Sequence, residues 1–201
     1  MVEQEQPKAG GIETFVAGAG TSGAGGPRPV HLWNPPFCGD IDMRVAADGT
    51  WFYQGSPIRR PALVRFFASI LKREDGKYYL VTPVEKVGIR VDDVPFRAVE
   101  MKVEMELNSA GRTLTFRTDV DDWVACGADH ALRFEPDDAA GVLKPYLHVR
   151  DDLWARVVRS VFYDLIELGE EREVAGEPMF GVASRGAFFA MMKADQLRDL
   201  A

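Results

Sequence analysis

The stretch that decides the fold is residues 41–60, IDMRVAADGTWFYQGSPIRR. Apolar and polar residues alternate over 41–46, and Asp48-Gly49 is a tight-turn dipeptide. The aromatic run 51–53 follows this turn directly. Alternation, turn and returning apolar residues, in that order, are typical of a β-hairpin.

A helix is predicted directly after this hairpin. Pro61 is a residue favoured in the first turn of a helix, and apolar residues recur at helical spacing over 63–71. We expect Asp75-Gly76 to end this helix. Two short strands are predicted next, at 78–82 and 86–91.

The second half repeats this order of strands and helix. Apolar and charged residues alternate over 99–107, which predicts a long strand, and 112–118 is predicted to return beside it. Residues 153–167 carry two adjacent apolar stripes at helical spacing, and Asp151-Asp152 is expected to cap this second helix.

Residues 41–55 are also similar to residues 114–127. With one residue dropped in the turn, three identities align: Arg44 with Arg117, Trp51 with Trp123, and Gly55 with Gly127. The sequence therefore predicts an α+β fold of two repeated strand-plus-helix units built on antiparallel sheets. The expected segments are a flexible Gly-rich head (1–29), an N-terminal unit (30–97), a C-terminal unit (98–169) and an extension that packs back on the body (170–201). A groove between such units is a preferred place for a ligand.

Composition limits the class of partner. The net charge of −7 and the pI of about 5.1 argue against nucleic acid, because binding to its backbone depends on Lys and Arg. Two cysteines among 201 residues do not suggest a disulfide framework. No apolar run has the length of a membrane span, and residues 1–8 lack the features of a secretory signal. We therefore expect a cytoplasmic protein that does not bind membranes.

Motifs for catalysis are scarce. The three histidines and two cysteines do not fall at metal-ligand spacing, so we expect no metal, and no cofactor motif is credible. A GxGxxG pattern at 18–23 is followed by prolines where a dinucleotide-binding helix would have to start. An enzyme is therefore only a residual hypothesis, resting on Cys38 and Glu85, and we expect no catalytic residue.

Arginines before helices are the most distinctive feature. Arg59 and Arg60 precede the first predicted helix, and Arg150 precedes the second. A helix N-terminus with an adjacent Arg can bind an anion, and the first helix has no acidic residue in its opening turn. The alternative is that these arginines are exposed and pack their stems on the hairpin aromatics.

The motifs YYLVTPVEK (78–86) and VDDVPF (91–96), with PYLHVRDDLWARVVRSVFYDLIELG (145–169), resemble the bacterial family called domain of unknown function 1285. The resemblance covers roughly residues 33–168. It implies a duplicated fold, a second unit similar to pleckstrin-homology-like barrels, and a ligand site at the interface of the units. It also implies a nucleotide-like ligand and a signalling role. Motif matching gives these candidate ligand-binding residues: Trp51, Gly55, Arg59 or Arg60, Thr82, Glu85, Lys86 and Arg150.

Two functions follow from these observations. In the first, the protein is a sensor or regulatory module that binds a nucleotide-like anion through Arg60 and Arg150, with Trp51 or Tyr53 as a stacking face. In the second, it is a protein-interaction module without a small-molecule site. The protein partner is unknown in both.

Overall fold

The structure, a computed structural model, describes residues 28–105, 111–137 and 142–198. It divides into two compact units, one ending at Pro95 and the other beginning at Phe96. Strands make up most of the described residues, and the helices among them are short. The predicted α+β class therefore overstates the helical content. Almost all of the predicted Gly-rich head lies outside the described residues.

The first unit is a six-stranded sheet with one α-helix, α1 (Pro61–Ser69), after a 3₁₀ turn at Val30–Leu32. The strand order is β3-β2-β1-β6-β5-β4, and all pairs are antiparallel except the central pair β1/β6. The strands are β1 (Phe37–Val45), β2 (Trp51–Tyr53), β3 (Ser56–Pro57), β4 (Leu71–Glu74), β5 (Lys77–Val81) and β6 (Lys86–Val91).

The predicted hairpin and the predicted start of the first helix are confirmed, but the predicted helix end is wrong. Helix α1 stops at Ser69, and β4 follows it and pairs with β5. Asp75 and Gly76 have φ angles of 48° and 78° and form the turn between these strands. The Asp-Gly dipeptide therefore makes a second hairpin turn and does not terminate a helix.

Helix α1 packs on one face of the first sheet. The ring of Phe67 stacks on the ring of Trp51 with centroids 6.2 Å apart, and both side chains are buried. The helix connects β3 at one edge to β4 at the other, so it has to cross this face. Arg44 and the other residues on the opposite face of the sheet remain outside this core.

The second unit contains a six-stranded sheet of order β10-β11-β12-β7-β8-β9, then α2, a three-stranded antiparallel sheet and the short helix α3. Its strands and helices are β7 (Phe96–Met105), β8 (Arg112–Thr118), β9 (Trp123–Ala125), β10 (Leu132–Asp137), β11 (Val142–Arg150), β12 (Leu153–Val157), α2 (Arg159–Glu167), β13 (Glu170–Val174), β14 (Glu177–Ser184), β15 (Ala187–Lys193) and α3 (Ala194–Arg198).

The two six-stranded sheets have the same topology. In each, the first and last strands pair in parallel at the centre, and the remaining strands form an antiparallel ribbon on either side. This order equates β1 with β7 and β2 with β8, whereas the sequence alignment had equated β1 with β8. The aligned tryptophans accordingly differ, because Trp51 is 2% exposed and Trp123 is 44% exposed.

The predicted second helix is wrong over its first six residues. Residues Leu153–Val157 form strand β12, and α2 begins at Arg159. Leu153, Ala155 and Val157 are buried on alternate positions, which is the periodicity of a strand. A Leu and a Val four residues apart also fit a helix, so spacing alone could not separate the two structures.

The second sheet is curled because a short segment of chain joins its two edge strands. Residues 126–131 join β9 at one edge to β10 at the other, and a turn bond from Gly127 N–H to the His130 carbonyl shortens this segment. A flat sheet of six strands would be about 24 Å wide. A bent segment of this length cannot span it, so the edges must approach each other.

The segment after α2 contacts the second sheet through Ser184. Its hydroxyl accepts from the backbone N–H of Leu114 at 2.9 Å and donates to the carbonyl of Cys126 at 2.8 Å. Arg185 N–H also donates to the Arg112 carbonyl at 2.9 Å. Ser184 is 1% exposed, so both of its partners depend on it in a dry environment.

Among the helices of the described ranges, none has the length and apolar character needed to cross a membrane.

Replacing Ser184 by Ala is expected to lower the free energy of unfolding by about 2–4 kcal/mol, because a backbone donor and a backbone acceptor lose their shared partner. Urea unfolding followed by circular dichroism measures the change. Ser160→Ala, on the exposed start of α2, is the matched control and should shift stability by less than about 0.5 kcal/mol. Equal losses in both variants would contradict this role of Ser184.

Candidate functional site

A hollow of about 800 Å³ lies on the first unit, along strands β1, β6 and β5. The sheet register places its principal side chains on the face opposite α1. We call it the β1–β6–β5 hollow. Its lining residues are Phe37, Asp40, Ile41, Asp42, Gly76, Lys77, Tyr78, Tyr79, Gly88, Ile89, Arg90, Val91 and Asp92.

The floor of the hollow is made by Gly88, with Asp40 above it. The two residues are direct partners in the parallel pairing of β1 with β6. A Cβ atom on residue 88 would lie 1.9 Å from Asp40 Oδ1 and 3.1 Å from Asp40 Cγ. The φ of Gly88 is not in the left-handed region, so the backbone does not require glycine here. Glycine inside a strand commonly marks close approach of another group, and here that group is a carboxylate.

The local backbone of β1 holds Asp40 in this place. Gly39 has φ 99°, and the β1–β6 pairing shifts register on both sides of Asp40. Such irregularities re-aim a side chain relative to a regular strand and are frequent beside functional sites. Asp40 itself is exposed, so its carboxylate is open to a ligand.

One end of the hollow is aromatic. Phe37, which is 55% exposed, meets the ring of Tyr79 edge-on with centroids 6.0 Å apart. Lys86 Nζ lies 5.0 Å from the centre of the Tyr79 ring and 2.8 Å from Glu74 Oε2. Hydrogen bonds from Lys72 and Lys86 hold the pKa of Glu74 below its ordinary value. Tyr79 is therefore fixed by its neighbours, while the ring of Phe37 is largely open to solvent.

The other end is charged. Arg90 Nη2 pairs with Asp42 Oδ1 at 3.2 Å, and both side chains are more than half exposed. Asp92 accepts hydrogen bonds from the guanidinium of Arg44, which hold the pKa of this carboxyl below its ordinary value. Lys77 completes this end. An exposed pair such as Arg90–Asp42 contributes little stability, so Arg90 can exchange its partner for a bound anion.

These groups follow one another along the strands. The β6 residue paired with Phe37 is Lys86, and Arg90 is four positions further along, a distance of roughly 13 Å. Asp40 lies between the aromatic end and the cationic end. The hollow thus offers an aromatic surface, a hydrogen-bond acceptor and a positive charge in that order.

Trp51 and Tyr53 lie on the other face of the sheet. They pair with Val45 and Met43, whose side chains are buried under α1. Trp51 is in the core and leaves no face for a ligand, so the expectation that it stacks on a ligand is corrected. Tyr53 is half-buried on the same side.

Arg59 and Arg60 are exposed, and Arg60 is the N-cap residue of α1, as predicted. The helix has no acidic residue in its first turn and no side-chain cap. Its end nevertheless offers an anion few donors, because Pro61 has no N–H and the N–H groups of Leu63 and Val64 both donate to the Arg60 carbonyl.

Three other predicted ligand-binding residues belong to this unit: Thr82, Glu85 and Lys86. The strand pairing places them at the opposite end of the sheet from Arg60. Thr82 is buried, and its hydroxyl accepts from the N–H of Glu85 at 3.1 Å, so it shapes the β5–β6 turn. Glu85 is half-buried in that turn. Lys86 is the predicted residue that contacts a lining residue of the hollow, through Tyr79.

Arg150 belongs to the second unit and does not precede a helix, so that expectation is wrong. It ends β11, and the next residue, Asp151, has φ 46° in the turn to β12. Its guanidinium lies 3.4 Å from Asp122 Oδ2 and 5.1 Å from the centre of the Phe96 ring. Burial lowers the pKa of Arg150, with Asp122 opposing the shift. Arg150 is thus held by structural partners within its own unit.

The state of the two cysteines and the grouping of possible metal ligands bear on the hypothesis that the protein is an enzyme. Cys38 is half-buried and its Sγ lies 3.5 Å from the Pro36 carbonyl oxygen. Cys126 is fully buried, and burial raises the pKa of its thiol to about 12. Within residues 28–105, 111–137 and 142–198, no three His, Cys, Asp or Glu side chains are grouped as metal ligands.

Sequence reasoning missed the residues that form the hollow, notably Phe37, Asp40, Tyr79, Gly88 and Arg90. The available signal was an isolated glycine in each of two strand patterns, Gly39 in β1 and Gly88 in β6. Pairing of these two strands could not be inferred, because they are the first and last strands of the sheet.

The fold and the hollow define a protein of two topologically repeated β-sheet units with a candidate small-molecule site. The chain belongs to the DUF1285 family. The N-terminal domain of that family, described as a domain of unknown function, matches residues 28–94, and the C-terminal domain, described as a protein of unknown function, matches residues 95–191.

Two solved structures are similar to this chain. A DUF1285 family protein from Silicibacter pomeroyi DSS-3 is 50% identical, with a TM-score of 0.84, and the match covers 94% of this chain and 99% of that chain. A DUF1285 family protein from Shewanella baltica OS155 is 26% identical, with a TM-score of 0.48, over 62% of this chain and 90% of that one. We found no match among curated proteins.

The two cysteines are expected to differ in reactivity. In the native protein at about pH 8, iodoacetamide should modify Cys38 and leave Cys126 unmodified, because the reactive thiolate is suppressed at the buried site. Peptide mass spectrometry measures both positions, and denatured protein is the control in which both react. Equal rates in the native protein would show that Cys126 is accessible.

The contact between Gly88 and Asp40 predicts non-additive effects on stability. In an Asp40→Ala background, Gly88→Ala should stabilise the protein by about 0.5–1 kcal/mol, because it removes the entropic cost of a strand glycine. With Asp40 present, the same change should be less favourable by about 1 kcal/mol, since the new Cβ displaces the carboxylate. A double-mutant cycle measured by urea unfolding gives this coupling; simple additivity would contradict the contact.

Proposed function

We propose that this protein is a small-molecule-binding module with a regulatory role, and that the β1–β6–β5 hollow binds a nucleotide-like anion. The observation that carries the proposal is the carboxylate of Asp40 above Gly88. A side chain at residue 88 would displace this carboxylate from the floor. Glycine inside a strand is unfavourable for stability, yet residue 88 is glycine, which leaves room for this carboxylate.

The order of groups along the hollow fits a mononucleotide. A base can stack on the exposed ring of Phe37 beside Tyr79, as aromatic rings commonly bind flat ligands. Asp40 can accept hydrogen bonds from ribose hydroxyls, because an ionised carboxylate is an acceptor. Arg90 and Lys77 lie at the far end, where a phosphate would be placed.

The charges restrict the kind of nucleotide. Asp40, Asp42 and Asp92 line the same hollow as Arg90 and Lys77. Several phosphates would be repelled by these carboxylates, whereas one phosphate can be neutralised by the two cations. We therefore infer a monophosphate or cyclic monophosphate, and not a triphosphate.

The regulatory role is supported by where the ligand would lie. A nucleotide in the hollow would contact both β1 and β6, the parallel pair at the centre of the sheet. This pair joins two three-stranded ribbons, so a bound ligand would stabilise their junction selectively. Binding that orders one conformation over another is the usual basis of a molecular switch.

Two finer expectations belong to the same proposal. The second unit has six strands followed by helix α2, an order compatible with the pleckstrin-homology-like barrel that the family resemblance implies. The groove expected from the sequence between the two units stays a prediction.

Thermal-shift measurements with nucleoside mono-, cyclic mono- and triphosphates test the proposal. A monophosphate at about 100 times its Kd should stabilise the protein by about 2.7 kcal/mol, which raises Tm by several degrees. Asp40→Ala and Arg90→Ala should each abolish the shift. Arg60→Ala is the matched control, because it removes an exposed arginine at the helix α1 N-terminus, away from the hollow, and should retain it.

The outcomes separate the candidate sites. Loss of the shift in Arg60→Ala with retention in Asp40→Ala would place the anion at the helix and overturn the hollow as the site. Absence of a shift with every nucleotide would favour the alternative, a protein-interaction module without a small-molecule site.

A further inference from the structure

The far end of strand β7 is an exposed apolar strip in the second unit. Val103 and Met105 are 43% and 70% exposed, although they continue the apolar face that begins at Val99 and Met101. The intervening residues of β7, Lys102 and Glu104, are exposed on the other face. Apolar side chains at alternating positions of an exposed strand commonly mark a contact surface.

The same segment has an open edge. Strand β12 pairs with β7 only at Phe96, Arg97 and Ala98, while β8 pairs with the other edge as far as Met105. Across the described ranges, no further strand pairs with β7 beyond Ala98 on the β12 side. An open edge of a strand can accept another strand through backbone hydrogen bonds.

The charges along this edge can form attractive pairs with the same charges on a second copy of the chain. In an antiparallel pairing of β7 with a second β7, centred on Val103, Lys102 faces Glu104 of the other copy, and Glu104 faces its Lys102. Met101 then faces Met105, and the two Val103 side chains meet at the centre. The apolar side chains form one continuous strip on one face, and the two opposite-charge pairs lie on the other.

We propose that the β7 edge binds a second copy of this chain. Antiparallel pairing of one strand with itself is two-fold symmetric, so a single surface serves both partners, as in the commonest class of homodimer. The charge pattern indicates a second copy as the partner, because both charged residues form attractive pairs in a register centred on Val103. The dimer extends the second sheet across both copies and covers the exposed Val103 and Met105.

A charge-swap experiment on the full chain tests the register. Sedimentation equilibrium of the wild-type protein should show a monomer–dimer equilibrium. Glu104→Lys places two lysine pairs across the interface and should weaken the dimer by at least about tenfold in Kd. Lys102→Glu should do the same by creating two glutamate pairs. The double variant K102E/E104K restores both attractive pairs and should recover dimerisation.

Two further variants control the result. Glu173→Lys makes the same charge change on the exposed strand β13 and should leave the dimer unchanged. Val103→Asp puts two carboxylates together at the centre and should give a monomer even where the charged residues are wild type. Circular dichroism establishes that each variant is folded. A wild-type monomer at about 0.1 mM, or a dimer that none of the β7 changes weakens, would overturn the proposal.

Discussion

Parallel pairing between the first and last strands is the constraint on which both sheets depend. It places each sheet's third and fourth strands at opposite edges, so the chain must cross from one edge to the other. In the first unit the crossing is helix α1, which covers one face and buries Phe67 against Trp51. In the second unit a short segment makes the crossing, and the sheet curls to allow it. Because α1 can cover only one face, the other is left for the β1–β6–β5 hollow.

The hollow follows from irregularity within that parallel pair. A Cβ atom on residue 88 would collide with the Asp40 carboxylate, and the glycine removes this conflict. Register shifts on either side of Asp40 show that β1 is bent around the site and is not regular along its length. The carboxylate lies between an aromatic end and a cationic end, and the proposed ligand site rests on this arrangement. The structural pairs of Arg150 and Thr82, in contrast, serve the fold.

Features set by interactions within a few residues could be predicted from the sequence, whereas features set by distant strands could not. The hairpin at 41–53 and the start of α1 were predictable because a turn dipeptide and Pro61 act within a few residues. Spacing predicts a helix over 153–157 because Leu153 and Val157 fit both periodicities, and only pairing with β7 and β11 makes this span a strand. Arg60 was correctly placed at a helix N-cap, but its distance from Lys86 along the sheet could not be inferred. Asp40 was missed because its partner, Gly88, is 48 positions away and on the last strand.

The sequence by itself determined the Asp48-Gly49 turn, the strand segments of β1, β2 and β5–β8, the N-terminal cap of α1 and the family, since these depend on local patterns and short motifs. Tertiary structure alone decided which strands are neighbours, which tryptophan is buried, and which carboxylate lies over a glycine. The physical reason is that strand pairing between distant segments is chosen by cooperative packing of the whole sheet. A residue's local pattern specifies the faces it can present, and the neighbouring strand decides what each face meets.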